Sequence, residues 1–84
     1  MAPQEILKFK IKEPFQPFRL YMSDGSIYDV MDPFQVHVDM LSVSVGVKPD
    51  EETGVYARSI YLSPNHVTRI EPLNESAIEE PARG

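Results

Sequence analysis

Phe18-Arg19-Leu20-Tyr21-Met22-Ser23-Asp24-Gly25-Ser26-Ile27-Tyr28-Asp29-Val30-Met31 decides the fold. Two alternating runs flank Asp24-Gly25, and such a dipeptide between alternating runs signals a β-hairpin. Two registers compete. A two-residue loop, Asp24-Gly25, faces Leu20 with Asp29 and Arg19 with Val30. A three-residue loop, Ser23-Asp24-Gly25, with Gly25 left-handed, faces Phe18 with Val30, Leu20 with Tyr28 and Arg19 with Asp29. The second keeps one face apolar and pairs opposite charges on the other, so it is preferred.

Downstream, Asp32-Pro33 opens a loop and Val36 and Val38 alternate with His37 and Asp39, as a short strand does. Leu41, Val43, Val45 and Val47 alternate with Ser42, Ser44 and Gly46, the strongest β run of the chain. Lys48 to Gly54 reads as an acidic loop or wide hairpin, Val55 to Leu62 as a strand with Tyr56, Arg58, Ile60 and Leu62 on one side. Ser63-Pro64-Asn65 reads as one tight helical turn, and Val67 to Glu71 as the last strand, closed by Pro72. Residues 74–84 contain Ile78 as their only large apolar residue and read as a flexible acidic tail or a short acidic helix.

Upstream, Leu7-Lys8-Phe9-Lys10-Ile11-Lys12 alternates strictly, with three apolar residues on one face and three lysines on the other. Leu7 and Ile11 also stand i, i+4 on a helix, among good helix formers. Helix and strand stay open, and Pro14 ends either.

Eight prolines divide the chain into pieces too short for most helices. About five short antiparallel strands after an N-terminal element predict a mainly β domain over residues 1–73. Open edges favour association, so these strands are expected to close into a small barrel. The order of elements is similar to SH3-like and Sm-like barrels, a likeness of fold that carries no function.

Composition narrows the classes. Eighty-four residues make one small domain. There is no cysteine, hence neither a disulfide nor a Cys-based zinc site. No run approaches the roughly 18 apolar residues of a membrane span, and no secretory leader pattern opens the chain. The expectation is a cytoplasmic protein with no membrane partner. The net charge is −5: residues 1–22 hold four cations against two carboxylates, and the other 62 residues carry −7. A net acidic chain is a poor default for nucleic acid, whose affinity comes from neutralised phosphates.

Pro14-Phe15-Gln16-Pro17-Phe18-Arg19-Leu20, Ser23-Asp24-Gly25, Asp32-Pro33 and His66-Val67-Thr68-Arg69-Ile70-Glu71-Pro72-Leu73 together resemble a group of small bacterial proteins. That group shares a PFRPF…SDG…HP…HVTRIEPL layout, and the likeness covers roughly residues 5–73. This chain has Asp32 where the group tends to have His, and an alternating start where the group looks helical. The resemblance therefore tips residues 4–12 towards helix. No activity attaches to the group, so no functional residue is transferred.

Candidate chemistry is sparse. His37 and Asp39 share a strand face, with His66 elsewhere, which is thin for a metal site. Ser44-Val45-Gly46 lacks the flanking glycine of a nucleophile elbow, and four scattered glycines form no phosphate cradle. The lysine ridge stands out. As a strand it sets Lys8, Lys10 and Lys12 about 7 Å apart, a spacing suited to phosphates, with Arg19 in addition. The plainer reading is a solubilising face or a lysine-guarded edge. The sequence thus predicts a non-enzymatic interaction module that self-associates or binds a protein, and requires no cofactor. The alternative is an Sm-like nucleic-acid binder using Lys8, Lys10, Lys12 and Arg19.

Overall fold

The computed structural model describes residues 1–73, so the expected acidic tail at 74–84 lies outside the described residues. The chain begins with a helix, α1 (Pro3–Ile11), and continues through six strands. These are β1 (Phe18–Met22), β2 (Ile27–Val30), β3 (Val36–Val38), β4 (Val43–Pro49), β5 (Tyr56–Leu62) and β6 (Val67–Pro72). Single 3-10 turns at Pro33–Gln35 and Pro64–His66 lead into β3 and β6.

The N-terminal ambiguity resolves as helix. Pro3 sits in the first turn, where its fixed φ suits helix entry, with Glu5 beside it and Lys8 and Lys10 in the last turn. That charge order opposes the helix dipole favourably. Packing agrees. Ile6 is fully buried, and Phe9 reaches the Phe18 ring at a centroid distance of 5.4 Å. In the strand reading Ile6 would lie on the lysine side; on the helix Ile6, Phe9 and Lys10 share the inward face at i, i+3, i+4.

The hairpin forms in the preferred register: Phe18 faces Val30, Leu20 faces Tyr28, and Arg19 faces Asp29. Gly25 has φ +92°, the left-handed turn position that a side chain adopts only at a cost. Asp24 Oδ1 accepts from the Ser26 amide at 2.8 Å and fixes the loop.

The strands form two three-stranded antiparallel sheets, ordered β2-β1-β6 and β3-β4-β5. β1 pairs with β6 from Phe18 opposite Pro72 to Met22 opposite Val67, with a bulge between Tyr21 and Met22. The expected five-stranded closed barrel is therefore corrected: there are six strands, and among the described residues no ladder joins one sheet to the other. The connections explain the gap. A proline-led 3-10 turn interrupts the chain on each passage from sheet to sheet, and proline brings no backbone donor to extend a ladder.

The core lies between the sheets and under α1. Ile6, Phe18, Leu20, Val30, Val36, Val43 and Val45 are completely or almost completely buried. Phe15 packs on Phe18 at 6.0 Å between ring centroids. Gln35 crosses the seam: its Nε2 donates to the carbonyls of Asp29 in β2 and Gly46 in β4. β4 begins at Val43 rather than Leu41. The two residues before Ser42 form the tip of the β3–β4 hairpin instead of a strand end, and the Asp39 amide donates to the Ser42 carbonyl at 2.8 Å to close it.

Candidate interaction surface

The basic residues singled out above do not form one ridge. α1 distributes Lys8 and Lys10 around its axis, and Lys12 is the residue that ends it. Lys10 turns inward, and its Nζ donates to the carbonyls of Pro33 and Val36, at 2.7 Å to the latter. It ties the helix to the start of β3. Arg19 is engaged by Asp29 across the hairpin, Nε to Oδ1 at 2.6 Å and Nη2 to Oδ2 at 3.1 Å. This two-pronged bond is the chief cause of a guanidinium pKa raised above its ordinary value. Lys8 lies 3.6 Å from Glu5 in an exposed i, i+3 pair, an arrangement worth little in water. Lys12 is exposed. Two of the four cations thus hold the fold together, and the structure does not bring all four to one face.

His37 is exposed on β3 opposite Ser44, far in register from His66 at the other 3-10 turn. Among the described residues no group of three His, Asp or Glu side chains stands close enough to hold a metal ion. His66 has a partner that sequence spacing did not reveal. Its Nδ1 lies 3.0 Å from Ser23 Oγ, while the Ser23 amide donates to the His66 carbonyl at 2.7 Å. The signal was present only as turn chemistry, since two loops 43 residues apart meet here. Asp24 is adjacent, and its carboxyl is held below the usual range, first by the Ser26 amide and, more weakly, by His66. Asp24 is turned to Ser26, so the Ser23–His66 contact is a latch between the hairpin turn and the turn before β6.

Two concavities deserve comparison. One cleft of about 350 Å³ opens at the seam between the sheets, beside Tyr28, Gln35, Gly46 and Tyr56. Two of its polar side chains are already engaged. Gln35 is bonded to both sheets, and the Tyr56 hydroxyl donates to Asp32 Oδ2 at 2.8 Å. The Tyr56 phenol pKa is raised, first by burial and then by that carboxylate.

The second is a groove of about 550 Å³ between α1 and the β3–β4 hairpin, lined by Pro3, Gln4, Leu7, Val38, Asp39 and Met40. Leu7 is 37% exposed and Ile11, one turn on, is 61% exposed. The adjoining tip carries Met40 and Leu41 at 85% and 88% exposure. Hairpin tips ordinarily hold Gly, Asn, Asp or Ser, which satisfy turn geometry and face water. A Met-Leu tip does neither. A projecting apolar tip beside an apolar groove is one feature that folding stability does not account for, and Phe34, 91% exposed, is another.

No family model, curated protein or solved structure matches this chain.

Proposed function

We propose that this chain is a non-enzymatic interaction module that docks a protein through the Met40-Leu41 tip and the neighbouring α1 groove. The observation that carries it is the pair of almost fully exposed apolar side chains at the tip. Burying one such side chain at an interface contributes roughly 1.5–3 kcal/mol. The same two residues contribute almost nothing to the core of the isolated chain.

The six strands around one core, entered by a short helix, are read as a small SH3-like or Sm-like domain left open along one seam. The resemblance to the small bacterial family and a cytoplasmic setting belong to the same reading. Nucleic-acid binding through the basic residues is disfavoured, because Lys10 and Arg19 are committed within the fold.

The test is a photo-crosslinking amino acid in place of Leu41, irradiated in cells that express the full chain. A discrete protein adduct supports the module. No adduct, or an adduct to nucleic acid, overturns it. Gel filtration with light scattering and absorbance at 260 and 280 nm gives an independent check. The chain has four Tyr and no Trp, so bound nucleic acid would dominate the spectrum.

A further inference from the structure

We propose that the cleft at the seam between the two sheets binds a small aromatic carboxylate, its flat body against the apolar walls and its anionic group at Lys48 and Tyr28. The site goes beyond the docking tip and does not depend on it, since the cleft and the α1 groove have no lining residue in common.

Shape and lining set the body of the ligand. The cleft holds about 350 Å³, at the small end of the range for ligand pockets. Ile27, Met31, Val45 and Val47 give it aliphatic surface, and Tyr28 and Tyr56 add two aromatic side chains. Such walls suit a body of one or two rings, which stacks on tyrosine and loses little rotational freedom on binding.

Polar groups set the other end of the ligand. Gln35 bonds to both sheets, Tyr56 donates to Asp32, and the Asp29 carboxylate is neutralised by the two-pronged bond from Arg19. Asp32, which does not line the cleft, accepts from the Phe34 amide as well. Two lining side chains have no hydrogen-bond or ion-pair partner among the described residues: the Lys48 ammonium and the Tyr28 hydroxyl. Both donate, and one carries a charge. One cation and one hydroxyl match the single charge of a carboxylate, whereas a phosphate group of nearly two charges would be left half neutralised.

The backbone gives a second, independent reason. Lys48 has φ +56°, and among the described residues it is the only one other than glycine in the left-handed region. A residue with a Cβ is strained there, and lysine lacks the short polar side chain with which Asn or Asp offsets that strain. Glycine would fit the local backbone better. The fold thus tolerates strain at the position that gives the cleft its cation, as it does at ligand contacts.

The test is titration of the full chain with 2-naphthoate, followed by backbone amide NMR shifts, with the uncharged 2-naphthamide as control. A Kd at or below about 1 mM is expected for an acid of this size, with shifts centred on Tyr28, Gly46 and Lys48. The amide should bind about five- to tenfold more weakly. Lys48→Met should abolish that difference and Tyr28→Phe should reduce it. Lys48→Gly should bind the acid as weakly as Lys48→Met, yet melt at or above the wild-type temperature, because it relieves the backbone. A lysine that served only the fold would give a lower melting temperature and unchanged binding. Lys48 is exposed and Tyr28→Phe keeps the ring, so circular dichroism should report intact folds.

Benzoate, phenylacetate and cinnamate vary the body of the acid. Absence of binding by all four acids up to about 5 mM would overturn the site. Equal affinity for acid and amide would do the same, as would unchanged acid affinity in Lys48→Met. Shifts centred on Leu7, Val38 and Met40 would place the acid in the α1 groove and overturn it too. None of these outcomes alters the crosslink expected from position 41.

Discussion

Gln35 Nε2 donates to the Gly46 carbonyl at 2.9 Å, and so one side chain in a 3-10 turn reaches β4 of the second sheet. The same nitrogen donates to the Asp29 carbonyl in β2 at 2.8 Å, and Gln35 Oε1 accepts from the Met31 amide at 2.7 Å. Where no strand ladder joins the sheets, this amide does. Gln35→Ala leaves two carbonyls and one amide without their partners, and water can reach only part of the seam. A loss of about 2–3 kcal/mol in urea unfolding is expected. A loss below about 0.5 kcal/mol would show that the sheets hold together without it.

Gly46 has a second duty. A Cβ at that position would stand 2.6 Å from Tyr56 Cγ and 2.9 Å from Tyr56 Cβ, near the root of a side chain that cannot swing aside without moving β5. Gly46→Ala is expected to cost about 2–3 kcal/mol by overpacking. Tyr56→Ala in the same chain should relieve part of that cost, measured as a double-mutant cycle. Additive effects would separate the two residues.

The half-buried Tyr56 phenol, bonded to Asp32, makes stability depend on alkaline pH. Its folded pKa is raised, so the neutral phenol is the form the fold prefers. The contribution is complete below the ordinary tyrosine value of about 10 and declines as pH rises through the higher folded value. Ultraviolet titration should show one of the four tyrosines forming phenolate later than the others. Tyr56→Phe should lose about 1 kcal/mol at neutral pH and be less sensitive above pH of about 10. Four tyrosines titrating together would contradict the assignment.

Lysine replacements separate structure from surface. Lys10→Met removes two charge-assisted bonds to the Pro33 and Val36 carbonyls and should cost about 1.5–3 kcal/mol. Lys8→Met and Lys12→Met should each stay within about 0.5 kcal/mol of wild type in chemical denaturation. Equal effects at all three positions would return the lysines to one solvated ridge.

What the sequence made legible was whatever local chemistry decides alone. Asp24-Gly25 and the charge pair Arg19–Asp29 fix the hairpin register, and both lie within a dozen residues. Pro64 likewise announces its tight turn. The helix was legible only in part, because alternation at Leu7, Phe9 and Ile11 competes with i, i+4 spacing; the buried position of Ile6 resolves it, and burial depends on tertiary partners. The alternation of Leu41 with Val43 ran two residues past the strand into the tip for the same reason. The groove was not legible at all. It joins α1 to a hairpin some thirty residues away, and Lys10 was read as a surface cation because its two carbonyl acceptors come from that distance too.

β1 is the central strand of its sheet, with β2 on one side and β6 on the other. The first neighbour follows after a three-residue turn; the second is some fifty residues away, Arg19 facing Glu71. During synthesis the hairpin therefore has its components early, while one edge of β1 stays vacant until nearly all of the described chain has emerged. Non-local pairing of this kind slows folding, into the millisecond-to-second range for small β domains. Throughout that interval the exposed edge is a template for any extended segment nearby, so the delay before β6 docks sets how long nascent copies can pair edge to edge.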